Sequence, residues 1–419
     1  MLNAPSAPDE AGRRVLYVDM AYTYDTVRRK RHEQFFEARH SGGLFERVIG
    51  VHPIADLSGN GAREVRSIAF TQRQTVIEGV SRRHGWRGPL AAIDFILSQA
   101  GLIRMLVGII RRERIDLIVA TDPVYSGLFG AILKFFSRRP LVIAIYANYD
   151  LAYATFKTLA MPRLIPSFRI QTMISGLVLR AADFTIAGNQ DNLDWGLKHG
   201  ADPDAAAVVT FARNIQPCHL ADPAGREGPE ATLRELGVPD AASYMIMISR
   251  LIPVKFAEDG VRAMIRVAQD HPDVVGIIAG EGALQPQLEA LVEAAGLSER
   301  IRFVGHIDQD RLSRIEPACI TVSPLTGMAL VEAGLAGSPI VAYDADWQAE
   351  FVQDGVNGFV VPMGDHGALA RGVLTILRDP EMRARMSAAA RDAALRLADP
   401  ARIIAADQAV FRRILQQTA

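Results

Sequence analysis

At 419 residues, with 49% hydrophobic and 22% charged side chains, the chain is long enough for two or three domains. It is too apolar for a disordered tail, a collagen or a disulfide scaffold. The net charge of −1 hides a split: residues 1–220 carry 27 Lys+Arg against 20 Asp+Glu, a net of +7, and the remainder carries 19 against 27, a net of −8. Halves so different in charge are expected to meet different partners. The two cysteines, Cys218 and Cys319, give neither metal spacing nor a disulfide framework, which points to a reducing, cytoplasmic compartment. The opening residues 1–14 are too polar for a signal peptide. No apolar run approaches the roughly 18 residues of a membrane span.

In chain order, apolar runs of strand length alternate with longer helical patterns, the mark of a parallel sheet with crossover helices. The first half predicts strands at 14–18, 48–53, 116–120, 141–146, 183–187 and 207–210, with helices at 89–112, 125–136 and 166–182 between them. The second half predicts strands at 244–248, 274–279, 301–304, 320–323, 339–342 and 358–361. Helices are expected there at 257–270, 284–295, 309–316, 328–336 and 367–378, followed by 381–397 and 401–416. The polar, breaker-rich stretch 217–241 is the expected boundary. The organisation read from this is a first domain over 1–220, a second over 221–400, and a final helical segment 401–419. The expected fold class is α/β: two doubly wound, Rossmann-like parallel-sheet domains facing across a cleft, with ligands at the carboxyl edges of the strands.

Several common chemistries lack their motifs. Neither Val18 nor Ile248 is followed by a glycine fingerprint for dinucleotides, and no phosphate-binding loop, HExxH or GxSxG occurs. What does follow the strands is different. Arg250 and Lys255 lie five positions apart after the first strand of the second half. Such a pair can straddle a diphosphate, or sit as two solvated loop cations. Gly280-Glu281-Gly282 and Gly305-His306 are turns at the next two strand ends, small enough to let backbone approach a flat ligand. Thr326 and Gly327 open a helix whose free N–H groups, Met328 and Ala329 among them, can hold phosphate oxygens. Glu332 falls in an otherwise apolar run of that helix, where a carboxylate requires a protein cation or a ligand such as a ribose diol.

Taken in this order, Arg-x4-Lys, GEG, RFVGHI and ALVEAGLAGSPIVAYD, with NGFVV near Asn357, resemble the donor half of the family 4 retaining glycosyltransferases. The resemblance is close over about 245–361. It implies the GT-B fold, a nucleotide-diphosphate-sugar donor, no metal ion and no other cofactor, and retention of anomeric configuration. By the same resemblance Arg250 and Lys255 neutralise the donor diphosphate and Glu332 holds its ribose. The amides of Met328 and Ala329 cap the phosphates, and Gly280, Gly305 and His306 flank the base. A last helix that crosses back to the first domain is also a family habit.

The departures are specific. Eight residues before Glu332, where the family places a sugar-contacting Glu, stands Pro324; Thr326 or Gly327 takes that place. After the first strand, Tyr22, Tyr24 and Asp25 replace a glycine pair, and after Tyr146 no histidine follows. The polar groups left to face an acceptor are Tyr22, Asn148 and Asp150, with Asp150 alternatively a helix N-cap. The acceptor expected from the resemblance is a glycan or a lipid-linked sugar in envelope polysaccharide assembly. Basic clusters at 27–34, 81–87 and 111–114 beside apolar helices suit an anionic membrane surface. They are not interleaved with stacking aromatics as nucleic-acid binding would require. The alternative to an enzyme is a nucleotide-sugar-binding or assembly subunit of the same fold that does not turn over.

Overall fold

The computed structural model describes residues 12–30, 32–58, 63–210, 215–225 and 227–417. The opening segment 1–11 and Arg31, which entered the readings above, lie outside them. The chain divides into two compact units, one formed by 1–153, 158–214 and 401–419, the other by 154–157 and 215–400.

The first unit is built on an eight-stranded sheet. Its strands are β1 (Arg13–Val18), β2 (Phe45–His52), β3 (Arg66–Thr71), β4 (Gln74–Glu78), β5 (Leu117–Ala120), β6 (Leu141–Ile145), β7 (Phe184–Ala187) and β8 (Ala206–Val208), in the spatial order 3-4-2-1-5-6-7-8. All neighbours pair in parallel except β3 and β4, an antiparallel pair at the edge. The wholly parallel sheet expected from the sequence is corrected here. Thr71-Gln72-Arg73-Gln74 has none of the glycine or asparagine that advertises a hairpin. β4 is also atypical, because it buries Gln74 and Glu78 at its two ends.

Apolar residues alternate across β1, so the sheet has two covered faces. Leu16, Val18, Ile49 and Ile143 pack under the helices Leu90–Arg112, Tyr125–Ser137 and Phe168–Ala181 through Leu102, Leu106, Ile110, Phe129, Leu133, Val178 and Leu179. On the other face, Val15, Tyr17, Phe45 and Val48 meet the final helix, Pro400–Gln417, through Phe411, Ile414 and Leu415. The Phe45 and Phe411 rings meet edge to face at 5.1 Å, a favoured aromatic geometry. Ser41 Oγ donates to the buried Asp407 carboxylate of the same helix.

The helix Leu90–Arg112 overturns one sequence expectation. It is 23 residues long with a mean hydropathy of 1.8 over an 18-residue stretch, enough by length and composition to cross a membrane. A search for unbroken apolar runs passes over it because Asp94, Ser98, Gln99 and Arg104 interrupt the run. Asp94 is tied to His84 Nδ1 at 3.0 Å and to the Trp86 N–H at 3.0 Å, so this polar group is satisfied within the unit.

The second unit carries a six-stranded, all-parallel sheet. Its strands are β9 (Ser243–Ile248), β10 (Val274–Ala279), β11 (Ile301–Gly305), β12 (Cys319–Ser323), β13 (Ile340–Tyr343) and β14 (Gly358–Val361), ordered 11-10-9-12-13-14. The chain order reverses between β9 and β12, which opens the crevice where doubly wound sheets take their ligands. The strands are almost wholly apolar, as burial on both faces requires. The helix Ala257–Asp270 places Ala257, Val261, Met264, Val267 and Ala268 on one stripe toward Met245, Met247 and Ile278.

Candidate functional site

The loops leaving the carboxyl ends of β9, β10, β11 and β12 converge on that crevice. Backbone hydrogen bonds hold the first three loops together. Ser249 N–H donates to Ala279 O at 3.0 Å, Leu251 N–H to Glu281 O at 3.0 Å, and Gly280 N–H to Gly305 O at 2.8 Å. Glycine is required at two points. A Cβ on Gly280, at φ +140°, would lie 1.9 Å from Ser249 O, and one on Gly282 would lie 2.2 Å from Leu251 O. The GEG turn is thus a packing joint under the Arg250 loop. Gly305 also has positive φ, and His306 beside it is exposed.

Arg250 is exposed and Lys255 is half-buried at the end of a short turn, Pro253–Lys255. Burial pushes the Lys255 amine below its ordinary value. The Arg250 charge pushes the same way, and Asp346 opposes both. The two cations therefore feel one another, as a pair bracketing a dianion would. Phe256, the next residue, is held at φ +50° with its ring edge-on to Tyr343 at 5.6 Å. A non-glycine residue there is strained, and the aromatic packing compensates.

The loop after β12 is fastened from below. Gln348 accepts from Ser323 Oγ at 2.7 Å and Thr326 N–H at 3.2 Å, and donates to Pro324 O at 2.9 Å and Tyr343 O at 3.2 Å. The Thr326 hydroxyl shares a 2.7 Å hydrogen bond with Ser323 Oγ and is buried. Gly327 is exposed with open space around it. The helix Ala329–Leu335 begins just beyond. Its first bonded amide is that of Leu330, to Gly327 O, so the N–H groups of Met328 and Ala329 lie ahead of the ladder. Glu332, one turn in, is only 7% exposed. Burial, with Glu316 adding and His219 opposing, pushes its carboxyl up to about 7.

The first unit's carboxyl edge has its own charged groups. Asp19, at the end of β1, forms a buried ion pair with Arg39. Glu78, at the end of β4, accepts the Tyr24 N–H at 2.7 Å and pairs with Arg66 at 3.4 Å. Asp25 pairs with Arg66 as well, at 3.0 Å. Tyr22 is half-buried and meets Phe35 edge to face at 5.2 Å. Asn148, not Asp150, caps the helix Tyr149–Phe156: its Oδ1 accepts the Leu151 N–H at 3.0 Å, and its amide donates to Asp191 at 3.0 Å. Asp150 is 2.8 Å from Lys198 Nζ and 3.0 Å from His199 Nε2. Burial would raise its carboxyl, but these partners outweigh it and hold it low. Asp346, Gln348, Asp19 and Glu78 escaped the sequence reading. Each acts through partners distant in sequence, and no spacing announces them.

Residues 230–393 match the family model described as glycosyl transferases group 1. The D-inositol 3-phosphate glycosyltransferase of Streptomyces scabiei is 30% identical over 228 residues, 51% of this chain and 50% of that protein. The chain thus spans about half the length of that relative. The protein of the same description from Thermomonospora curvata is 26% identical over 341 residues, 75% of this chain and 77% of its own. Among solved structures, Alr3699/HepE of Anabaena in complex with UDP and glucose aligns with a TM-score of 0.69 at 20% identity, covering 96% of this chain and 100% of that one. That likeness establishes the fold. The stretch that resembles the group 1 glycosyl transferases thus lies in the second of two α/β units whose fold follows the GT-B pattern.

Proposed function

We propose that the chain transfers a sugar from a nucleotide-diphosphate sugar to a hydroxyl of a glycan or lipid-linked acceptor, with retention of configuration and without a metal ion. The carrying observation is the grouping of Arg250, Lys255, the leading amides of the helix Ala329–Leu335 and Glu332 on loops that leave β9 and β12, the strands flanking the crevice. Breaking the anomeric C–O bond places about one more unit of negative charge on the departing diphosphate. Two cations and aligned N–H groups stabilise that charge more than the ground state, which is what lowers a barrier. The acceptor hydroxyl approaches from the leaving-group side and gives its proton to the diphosphate, so no separate base is needed. Glu332, ionised, accepts from the ribose diol and fixes the nucleotide. The test is calorimetric titration with UDP, GDP and ADP on the wild type and on Arg250→Ala, then assay of nucleoside diphosphate release from the matching sugar nucleotides. Binding weakened by Arg250→Ala supports the site; binding indifferent to it refutes the site.

One observation favours the second reading, a nucleotide-sugar-binding or assembly subunit without turnover. Pro324 stands where the resemblance expects a sugar-contacting carboxylate, and the neighbouring Thr326 hydroxyl is engaged inward. Binding of a nucleotide without release from any sugar nucleotide selects this reading.

The acceptor proposal draws on the first unit's surface. Leu90, Ile93, Ile96 and Leu97 are exposed on the helix Leu90–Arg112, as are Phe135 and Phe136 at the end of the adjoining helix. Arg104, Arg111, Arg112 and Arg138 are exposed near them. Apolar side chains rimmed by arginine suit the interface of an anionic bilayer, consistent with a peripheral enzyme at the cytoplasmic face working on a lipid-linked carrier in envelope polysaccharide assembly.

A further inference from the structure

Beneath the helix Ala329–Leu335 lies a buried ionisable group that the reading above leaves unused. His219, from the one-turn helix Pro217–Leu220, and Glu316, just after the helix Gln309–Ile315, are both fully buried. His219 Nε2 is 2.7 Å from Gln309 Oε1, and its Nδ1 is 3.4 Å from Glu316 Oε2. Each ring nitrogen faces an oxygen acceptor. With the Gln309 amide oxygen turned toward the ring, the imidazolium, with a proton on both nitrogens, offers a donor to each. Burial alone would push the His219 pKa down. The contact and charge of Glu316, with the charge of Glu332 behind it, outweigh that and raise it.

The helix Pro217–Leu220 packs against the helix Ala329–Leu335 that carries Glu332. Besides burial, two neighbouring charges act on Glu332: that of His219, which favours its ionisation, and that of Glu316, which disfavours it. The other polar side chains packed around the helix are engaged elsewhere. Arg391, on the helix Pro380–Ala398, donates to the carbonyls of Leu335 and Ala221. Arg383, on the same helix, donates to Ala318 O at 2.8 Å. Burial pushes the thiols of Cys218 and Cys319 up, so they stay neutral.

We infer that His219 is a positioning residue for nucleotide binding: held as a buried imidazolium between Gln309 and Glu316, it keeps the Glu332 carboxylate ionised and ready to accept from the ribose diol. This rests on the reading of Glu332 as the ribose contact. A carboxylate accepts two hydroxyl donors, whereas a carboxylic acid spends one oxygen on its own proton. Nucleotide affinity therefore rises with pH as Glu332 ionises, and the midpoint of that rise reports the charge behind it. Replacing His219 by a neutral residue removes the favourable charge and moves the midpoint to higher pH.

The experiment measures Kd from pH 5.5 to 9 for UDP, GDP and ADP and for their 2′-deoxy counterparts, on the wild type and on His219→Asn. The deoxy series controls for titration of the phosphates. The expected result has four parts: a rise in affinity with pH for the ribonucleotide; a flatter profile for the deoxynucleotide; a midpoint about one unit higher in His219→Asn, equivalent to about fivefold weaker binding near pH 7; and recovery of wild-type affinity at pH 9. An unmoved midpoint in a folded His219→Asn overturns the inference while leaving the Glu332 reading intact. No ribonucleotide binding by the wild type at any pH overturns the Glu332 reading, and the inference with it. A second measurement does not depend on the variant folding: nitrogen-15 NMR of histidine-labelled wild-type protein at pH 7.5 should show one imidazole protonated at both nitrogens. Finding only neutral rings overturns the inference.

Discussion

Glu332→Gln should make the nucleotide-free protein more stable while weakening its hold on nucleotide. The Glu332 carboxyl is pushed from 4.5 to about 7 by burial. A carboxyl raised in the folded state keeps its proton to higher pH than it does in the unfolded chain. Stability is therefore lost as pH rises from about 4.5 toward 7, and the loss is complete above that. Each pH unit of difference is worth about 1.4 kcal/mol, so the raised pKa of Glu332 costs about 3 kcal/mol of stability at pH 8 and about 1 kcal/mol at pH 5. Glutamine has nearly the same shape and never ionises. At about 2–4 °C per kcal/mol for a unit of this size, Tm of the variant should exceed that of the wild type by roughly 6–12 °C at pH 8 and by far less at pH 5. Differential scanning calorimetry at the two pH values measures this, and the thermal shift given by a nucleoside diphosphate should shrink in the same variant. A variant less stable than the wild type at pH 8, or an equal difference at both pH values, refutes the argument that Glu332 is a buried charge awaiting a ligand.

Arg250→Ala and Lys255→Ala should each lower turnover by about 10²–10³ through loss of leaving-group stabilisation, read as kcat with saturating sugar nucleotide. Activity should survive EDTA; a strict requirement for added magnesium or manganese would contradict charge neutralisation by these side chains. Gly280→Ala should destabilise the second unit by several kcal/mol, because the new methyl would sit 1.9 Å from Ser249 O at a φ that alanine resists; a Tm within a degree of wild type would show that the loop shifts freely. Vesicles containing anionic phospholipid should sediment the protein and neutral vesicles should not, and Ile96→Glu with Phe135→Glu should abolish the effect. Equal sedimentation of the double variant would remove the membrane from the proposal.

Much of the second unit was legible because its strands are short, wholly apolar and bounded by turn residues. β10, β14 and the helix Ala257–Asp270 fall at the residues expected for them. The first unit was harder. The helices Tyr24–Lys30, Tyr149–Phe156 and Gln190–Lys198 are short and mixed in polarity, and their caps are their only local signal. Asn189 and Asn148 supply such caps, but asparagine before a helix is too common to stand out. At the candidate site, the order of loops could be read from the residues that end each strand. What each side chain touches could not. The inward turn of Thr326 depends on Gln348, 22 residues later, and the surroundings of Glu332 depend on His219, more than a hundred residues earlier. Such partners are chosen by the fold, and a one-dimensional pattern holds no record of them.

The final helix bears on how the chain is made. Phe411, Ile414 and Leu415 complete one face of a sheet whose first strand begins at Arg13, so the first unit is closed by a segment synthesised long after its first strand. The second unit has no such debt; nearly all of it is one continuous stretch, and its sheet can assemble while synthesis is still under way. Until residues 401–417 emerge, Val15, Tyr17, Phe45 and Val48 lack their cover. The first unit therefore starts to form before the second yet is completed after it, and over that interval it is a natural client for a chaperone.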